Sequence, residues 1–519
     1  MNLYCSTESF NSLLLKMPFS TYLLQAFNYM RIKAVLFVGG FTFLTISLLA
    51  QTPNFGLPHE ETMVIDTQRQ LFVDHYLIER LDQVVLRLHE PRDEGAVLYF
   101  DKPWEGQFSG YCTVIKEQDL FRAYYRGIPI SGNDGNNHEV SCYAESNDGI
   151  NWRKPSLQLF EINGTKDNNI ILTEAAPVTH NFCPFVDARI GVAAEARYKA
   201  LGGTAKSGLI AYQSADGINW LKMQDSPVIT DGKFDSQNVA FWSETEKKYV
   251  AYFRIWTQEG YSGYRSIGRA TSDDFIHWST TQAMTFGDTP MQHFYTNQTH
   301  PYFRAPQIYI AIAARFMPNR QVVDEKSAQQ LGVNPKYYKD CSDAIFMTSR
   351  GGSQYDRTFM ESFIRPGIGL ENWVSRTNYP ALNVLQTSPT EMSIYVNQDY
   401  AQPTAHLRRY SLRLDGFASA HASFAGGELI TKPVIFSGKR LFLNFATSAA
   451  GSIRIEILDT ESNPIDGFTL ADSPEIIGNE IERAVNWKNA RSLEQLIGKP
   501  IRLRFVLQDA DLYSFRFAQ

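Results

Sequence analysis

AESNDGINW at 144–152, YQSADGINW at 212–220 and ATSDDFIHW at 270–278 share one pattern. Each has a serine, an aspartate two residues on and a tryptophan four residues after that. Trp152, Trp220 and Trp278 fall 68 and 58 residues apart, and FMTSRGGSQY at 346–355 is a degraded fourth copy. Each copy follows a strand-like run and supplies a turn: glycine takes positive φ, and the aspartate bonds the turn backbone. The tryptophan then opens the next strand and packs between sheets. Asp148, Asp216 and Asp273 are therefore assigned to structure. A period near 60 residues, filled by several short strands, is the size of one propeller blade.

Working outward, strand-like runs gather around these turns in five groups. The first holds GYCTVI (110–115) and LFRAYYRG (120–127), the second RYKALGG (197–203) and GLIAYQS (208–214). The third holds NVAFW (238–242) and YVAYFRI (249–255), the fourth IYIAIAARF (308–316) and DAIFMTS (343–349), the fifth EMSIYVN (391–397) and AHLRRYSLR (405–413). LFVDHYLIE (71–79) is expected to add the strand that closes the ring. From 426 onward, RLFLNFAT (440–447), SIRIEIL (452–458) and IRLRFVL (501–507) alternate apolar and polar residues, as in an antiparallel sandwich. The expected fold is all-β: a five-bladed β-propeller over residues 70–424 followed by a C-terminal β-sandwich over 425–519.

Length and composition agree. A chain of 519 residues exceeds one ordinary core. Aromatic residues make up 13 % of it, which suits strands and also the stacking of sugar faces. A net charge of −6 leaves no basic footprint for nucleic acid. Arg31 and Lys33 precede an uncharged apolar run from Ala34 to Ala50. That order reads as an export signal over residues 1–50, with a mature start at Gln51. The expected location is periplasmic or secreted, without stable membrane insertion once the signal is removed; an uncleaved anchor is the alternative. The five cysteines show no CxxC or Cys/His spacing. No cofactor and no catalytic metal are expected, with a structural calcium ion left open.

The repeat, the export pattern and segments such as FDSQNVAFW (234–242), MESFIRPG (360–367) and RFVLQDADLYSFRF (504–517) resemble the five-bladed glycoside hydrolases of families 32 and 43, most of all a bacterial family 32-like branch. The resemblance covers nearly all of the chain after residue 50. It implies catalytic carboxylates at the starts of the innermost strands, one ionised and one kept protonated. Asp235 stands where family 32 has the aspartate of its Arg-Asp-Pro element, although the flanking Arg and Pro are missing. The first blade has SGY (109–111) in place of Asn-Asp-Pro, so Glu105 is the nearest substitute. YTNQTHPYF (295–303), where the acid glutamate should open the fourth blade, contains no acid.

The candidate catalytic carboxylates are thus Asp235, Glu391, Glu105 and Glu361. Glu391 precedes the expected inner strand of the fifth blade, where it would face the funnel, and Glu361 lies in FMESFIRPG near Arg365. Trp104, beside Glu105, is a candidate stacking platform. Gln237 and Asn238, next to Asp235, suit sugar hydroxyls. His180, Asn181, Tyr295, Asn297 and His300 sit at strand starts, and Arg254 and Arg315 end long apolar strands, where each can hold a carboxylate or meet an acidic sugar. Asp187 and Asp343 are read as structural partners of arginines, and Asp74 fits either a rim or a strand turn. The leading function is an exported glycoside hydrolase acting on an oligo- or polysaccharide through funnel carboxylates. A non-catalytic carbohydrate-binding propeller and a glycoside phosphorylase are the alternatives.

Overall fold

The computed structural model describes residues 62–130, 135–488 and 492–519, and the chain there is all-β. The expected signal at 1–50 lies outside the described residues. Among those described, no helix is long and apolar enough to cross a membrane.

Four-stranded antiparallel groups follow one another along the chain. The first consists of Gly110–Glu117, Leu120–Gly127, Val140–Ser146 and Ile170–Leu172. The second is Cys183–Val186, Tyr198–Thr204, Gly208–Ser214 and Leu221–Lys222. The third is Val239–Ser243, Lys248–Trp256, Arg265–Ser272 and Gln282–Ala283. In the fourth, His293–Thr296 and Thr299–Tyr302 both pair with the long strand Ala305–Met317, which pairs with Cys341–Ser349. The fifth runs Tyr379–Gln386, Glu391–Gln398, His406–Arg413 and then Arg92–Tyr99, recruited from before the first group. The strand that completes the fifth group is therefore 92–99 rather than 71–79, whose Leu71 pairs with Ser514 instead.

The innermost strands close on themselves. Gly110–Glu117 lies against Cys183–Val186, that against Val239–Ser243, then Thr299–Tyr302, then Tyr379–Gln386. The last pairs in parallel with the first at Leu382 and Thr113. One amide cluster plugs the middle. Gln237 donates to Cys112 O (3.0 Å) and Thr113 Oγ1 (2.9 Å) and reaches Cys183 Sγ, while Gln298 donates to Gln237 Oε1 and Pro380 O. All five innermost strands are tied there, and a buried amide left unpaired would cost what these bonds return.

The repeated turns explain how neighbouring groups pack. Asp148 Oδ1 accepts from the amides of Ile150 and Asn151, Ser146 Oγ accepts from Gly149 N, and Trp152 Nε1 donates to Gly149 O. Asp216 repeats this geometry. In the third copy Asp274 does so, not Asp273, because the spacing counts two residues from Ser272; Asp273 is exposed beside Lys248. The aromatic at each turn packs on the preceding group: Trp152 on Tyr395, Trp220 on Tyr124, Phe275 on Phe185, Tyr355 on Tyr252. Phe417, six residues after Ser411, packs on Tyr302 and Phe346 and makes a fifth copy, with Arg413 at the aspartate position.

Most of the remaining strands form one bent sheet around a second core, while Met63–Asp66 and Val434–Phe436 make a separate parallel pair. Arg440–Leu458 pairs along most of its length with Arg502–Ala518, with register shifts between Asn444 and Phe445 and between Thr447 and Ser452. Strands at 78–88 and 418–422, expected within the first domain, pair into this sheet. Phe72, Val84, Leu429, Phe445, Phe505 and Phe515 share its core.

Candidate functional site

Tyr111, His180, Asp235, Tyr295 and Tyr379 each lie at or just before the start of an innermost strand, and their contacts make them neighbours. Tyr111 Oη donates to Asp235 O (3.1 Å). Arg254 donates to Asp235 Oδ1 (2.8 Å) and Tyr295 O (3.1 Å). The Tyr295 and Tyr379 rings are 4.9 Å apart, and the Tyr111 ring lies 5.6 Å from the His180 ring. Arg126 stacks on Tyr111 and approaches His180 Nδ1, which also meets Glu139 at 2.9 Å.

Local structure aims these groups. Tyr111 (φ 52°) and Arg376 (φ 62°) are left-handed non-glycine residues, a conformation that must be held by its surroundings. At Tyr111 the pairing register shifts between Gly110 and Thr113. At Arg376 the following Asn378 is fixed by donating to Ser342 O and Asn372 O. Asp235 is positioned from both sides: Asn181 donates to Phe234 O (2.5 Å) and Ser236 O (2.8 Å), and Asn238 donates to the same two carbonyls.

Asp235 keeps 30 % of its side-chain surface exposed. Burial is the largest influence on Arg254 and opposes its charge, but Asp235 together with Tyr295, Tyr111 and Tyr379 outweighs it and leaves the guanidinium above its ordinary range. Burial pushes the Tyr379 hydroxyl well above its ordinary value, with Tyr295 adding to the effect and Arg376 opposing it, so this phenol is a neutral donor. Burial and the adjacent Arg254 hold Arg265 below its usual range. The arrangement is one accessible carboxylate among phenols and guanidiniums. It can bind oxygen-rich ligands and offers one accessible carboxylate to act on them.

The expected residues divide. Asp235, Arg254, Tyr295 and His180 are in this cluster. Glu105 is 0 % exposed, taking bonds from Tyr125 (2.6 Å) and Lys154 (2.6 Å) inside the first group. Trp104 is buried there and donates to Asn169, which leaves no face for a sugar. Glu391 starts a second strand, not an innermost one, and pairs with Arg409 and Arg92. Six residues of strand separate it from Asn397, the partner of Tyr379, about 20 Å at the strand rise. Glu361 is exposed beside the edge bridge between Ala344 and Ile364. Gln237, Asn238 and Asn181 are fully buried and spend their amides on the backbone and the central plug, as above. Asn297 accepts from Thr299 N within its own turn. His300 links Gln298 O to Val384 N and is likewise buried. Arg315 is engaged by Asp343 (2.8 Å), beside a cavity of about 570 Å³ that also holds Arg320, Arg365 and Trp373.

The sequence reading missed Tyr111, Tyr379, Arg265, Arg376 and the Glu139–His180 pair. Tyr111 was legible only as the tyrosine of SGY. Among the described residues no three His, Cys, Asp or Glu side chains gather as a metal would need. The four described cysteines are free and buried.

No family model matches the chain, and no curated protein matches it. Solved structures similar to it include one described as a glycoside hydrolase, at 11 % identity, covering 62 % of this chain and 92 % of that one, with a TM-score of 0.41. Another is an N-acetylgalactosamine deacetylase from F. plautii in complex with blood group B trisaccharide (12 % identity, 64 % and 97 % covered, TM-score 0.40). A third is a β-1,2-mannobiose phosphorylase from Listeria innocua (10 % identity, 64 % and 98 % covered, TM-score 0.40). At these values the neighbours say nothing of this chain's substrate.

Proposed function

We propose that this chain is an exported, glycoside-cleaving enzyme, built as a five-bladed β-propeller with a C-terminal β-sandwich. The cycle of five innermost strands and the aromatic turns support the propeller; the long bent strands around their own core support the sandwich. The basic and apolar pattern before Gln51 supports export. The observation that carries the activity is Asp235: an accessible carboxylate, fixed on both flanks, at the meeting point of all five strand starts.

In this reading Arg254 orients Asp235 through its 2.8 Å contact, and Asp235 acts as base toward water or as nucleophile toward the anomeric carbon. Among the described residues no second accessible carboxylate stands in the cluster: Glu139 is buried against His180, and Glu105, Glu361 and Glu391 lie elsewhere. The proton for the departing oxygen then comes from a phenol, and Tyr379 is the buried one without a protein partner. Asp235→Asn keeps the shape and removes the charge. It is expected to lower glycan cleavage by a factor on the order of 10² or more. Product analysis against a panel of neutral and acidic oligosaccharides measures this; an unchanged rate in the variant removes Asp235 from the chemistry. The lack of a second accessible carboxylate favours a second reading, a carbohydrate-binding propeller without catalysis. That reading holds if the parent protein binds members of the panel and cleaves none.

A further inference from the structure

We propose that the cluster grips an oxyanion of its ligand, the carboxylate of an acidic sugar or free phosphate, with Arg254, Arg265 and Arg376. This rests on reading the cluster as the ligand site.

Three guanidiniums crowd one ring: Arg254, Arg265 and Arg376 lie 4.2, 5.5 and 5.5 Å from the centre of Tyr295. Only Asp235 offers them a carboxylate, and it binds Arg254. Among the described residues no carboxylate lies within ion-pair distance of Arg265 or Arg376. Several enclosed arginines elsewhere are paired, Arg315 with Asp343, Arg350 with Asp74 and Arg409 with Glu391, whereas Arg357 meets the Gln292 amide instead. The phenols do not supply the missing charge, because burial keeps Tyr379 protonated. Stacking on Tyr295, Trp256 and Phe316 relieves part of the cost, but an aromatic face carries only a partial charge.

Unspent donors point the same way. Arg254 Nε, Arg265 Nε, Tyr379 Oη and Thr296 Oγ1 are buried without a protein hydrogen-bond partner. Arg254 is 3 % exposed, so its free Nε is no solvated surface group. Buried donors of this kind call for a ligand or ordered water. A neutral sugar satisfies hydroxyl-sized donors but leaves two surplus positive charges. An oxyanion neutralises charge and matches the planar guanidinium fork at once.

The test is calorimetric titration of the whole protein at low salt with three probes. They are a galacturonate or glucuronate oligosaccharide, its carboxyl-reduced neutral counterpart, and inorganic phosphate. An acidic-sugar site is expected to bind the uronate about 10- to 100-fold more tightly than the reduced form, the worth of one charged hydrogen-bonded contact. A phosphate site is expected to bind phosphate and to show no such preference. Arg265→Gln and Arg376→Asn should each weaken whichever anion binds by a similar factor. Arg265→Lys should restore part of it, which a merely structural arginine would not do. The proposal is overturned if neither anion binds the wild-type protein, or if folded variants bind as tightly as wild type. Asp235-dependent cleavage of neutral glycans without any anion preference overturns it and leaves the glycosidase reading standing. Anion binding with no glycan cleaved does the reverse.

Discussion

At the scale of single residues, polar groups here divide into those used up by the fold and those left over. His300 is used up. Its Nδ1 donates to Gln298 O (2.8 Å) and its Nε2 accepts from Val384 N (3.1 Å), which fixes the neutral ring. Burial pushes its pKa down to about 4, with the Gln298 bond opposing. The unfolded chain, with histidine near 6.5, therefore binds the proton first. Stability is full above that value and falls as pH drops toward 4, by about 3 kcal/mol from this residue. His300→Gln should flatten the pH dependence of the urea-unfolding free energy between pH 6.5 and 4; an unaltered slope rejects the assignment. The same division explains how far the site was legible. Asp235 and Arg254 stand in recognisable places, a polar step before a strand and the end of an apolar one. Gln237, Asn238 and Asn181 look the same in sequence, yet the backbone claims their amides. Nothing local tells an amide that plugs a centre from one that waits for a sugar.

At the scale of elements, the Ser-x-Asp turn was legible because it is self-contained: its bonds run between residues at most three apart. Burial opposes the ionised Asp216, but the amides of Asn219 and Ile218 and the Asn219 side chain outweigh it and hold the carboxyl at about 2. What the turn touches is not local. At Gly149 (φ 73°) an added Cβ would meet Tyr395 Oη at 2.6 Å, whereas at Gly164 (φ 78°) it would meet nothing within 4 Å. Gly164→Ala should therefore cost only the left-handed backbone penalty, about 1 kcal/mol. Gly149→Ala adds displacement of Tyr395 and should cost about 3 kcal/mol in all. Urea midpoints compare the two directly, and equal costs would deny that this turn spaces the sheets. The element missed from sequence, Tyr379–Gln386, shows why pattern reading fails. It contains Pro380, a left-handed Asn383 and a register shift between Pro380 and Val384. Its alternation is broken by the bulge, and Tyr379 and Arg376 went unnoticed with it.

At the scale of the whole molecule, the two cores share their strands. Residues 78–88 and 418–422 pair with the C-terminal strands, while 92–99 completes the fifth group. A boundary drawn at 425 follows the change in sequence texture but cuts through the pairing. Residues 425–519 expressed alone lose the strands that cover Leu429, Phe505 and Phe515, and should show no cooperative thermal transition. The chain from 62 to 519 should melt cooperatively. A sharp melt of the fragment by circular dichroism would show that the sandwich stands by itself. The strand sharing also sets a clock. His89 bonds Ser419, 330 residues later. At ribosomal speeds of roughly 5–20 residues per second, the early strands wait on the order of 20–60 s for partners that do not yet exist. Their open edges must be shielded through that interval, so chaperone supply, more than equilibrium stability, should set how much native protein a cell recovers.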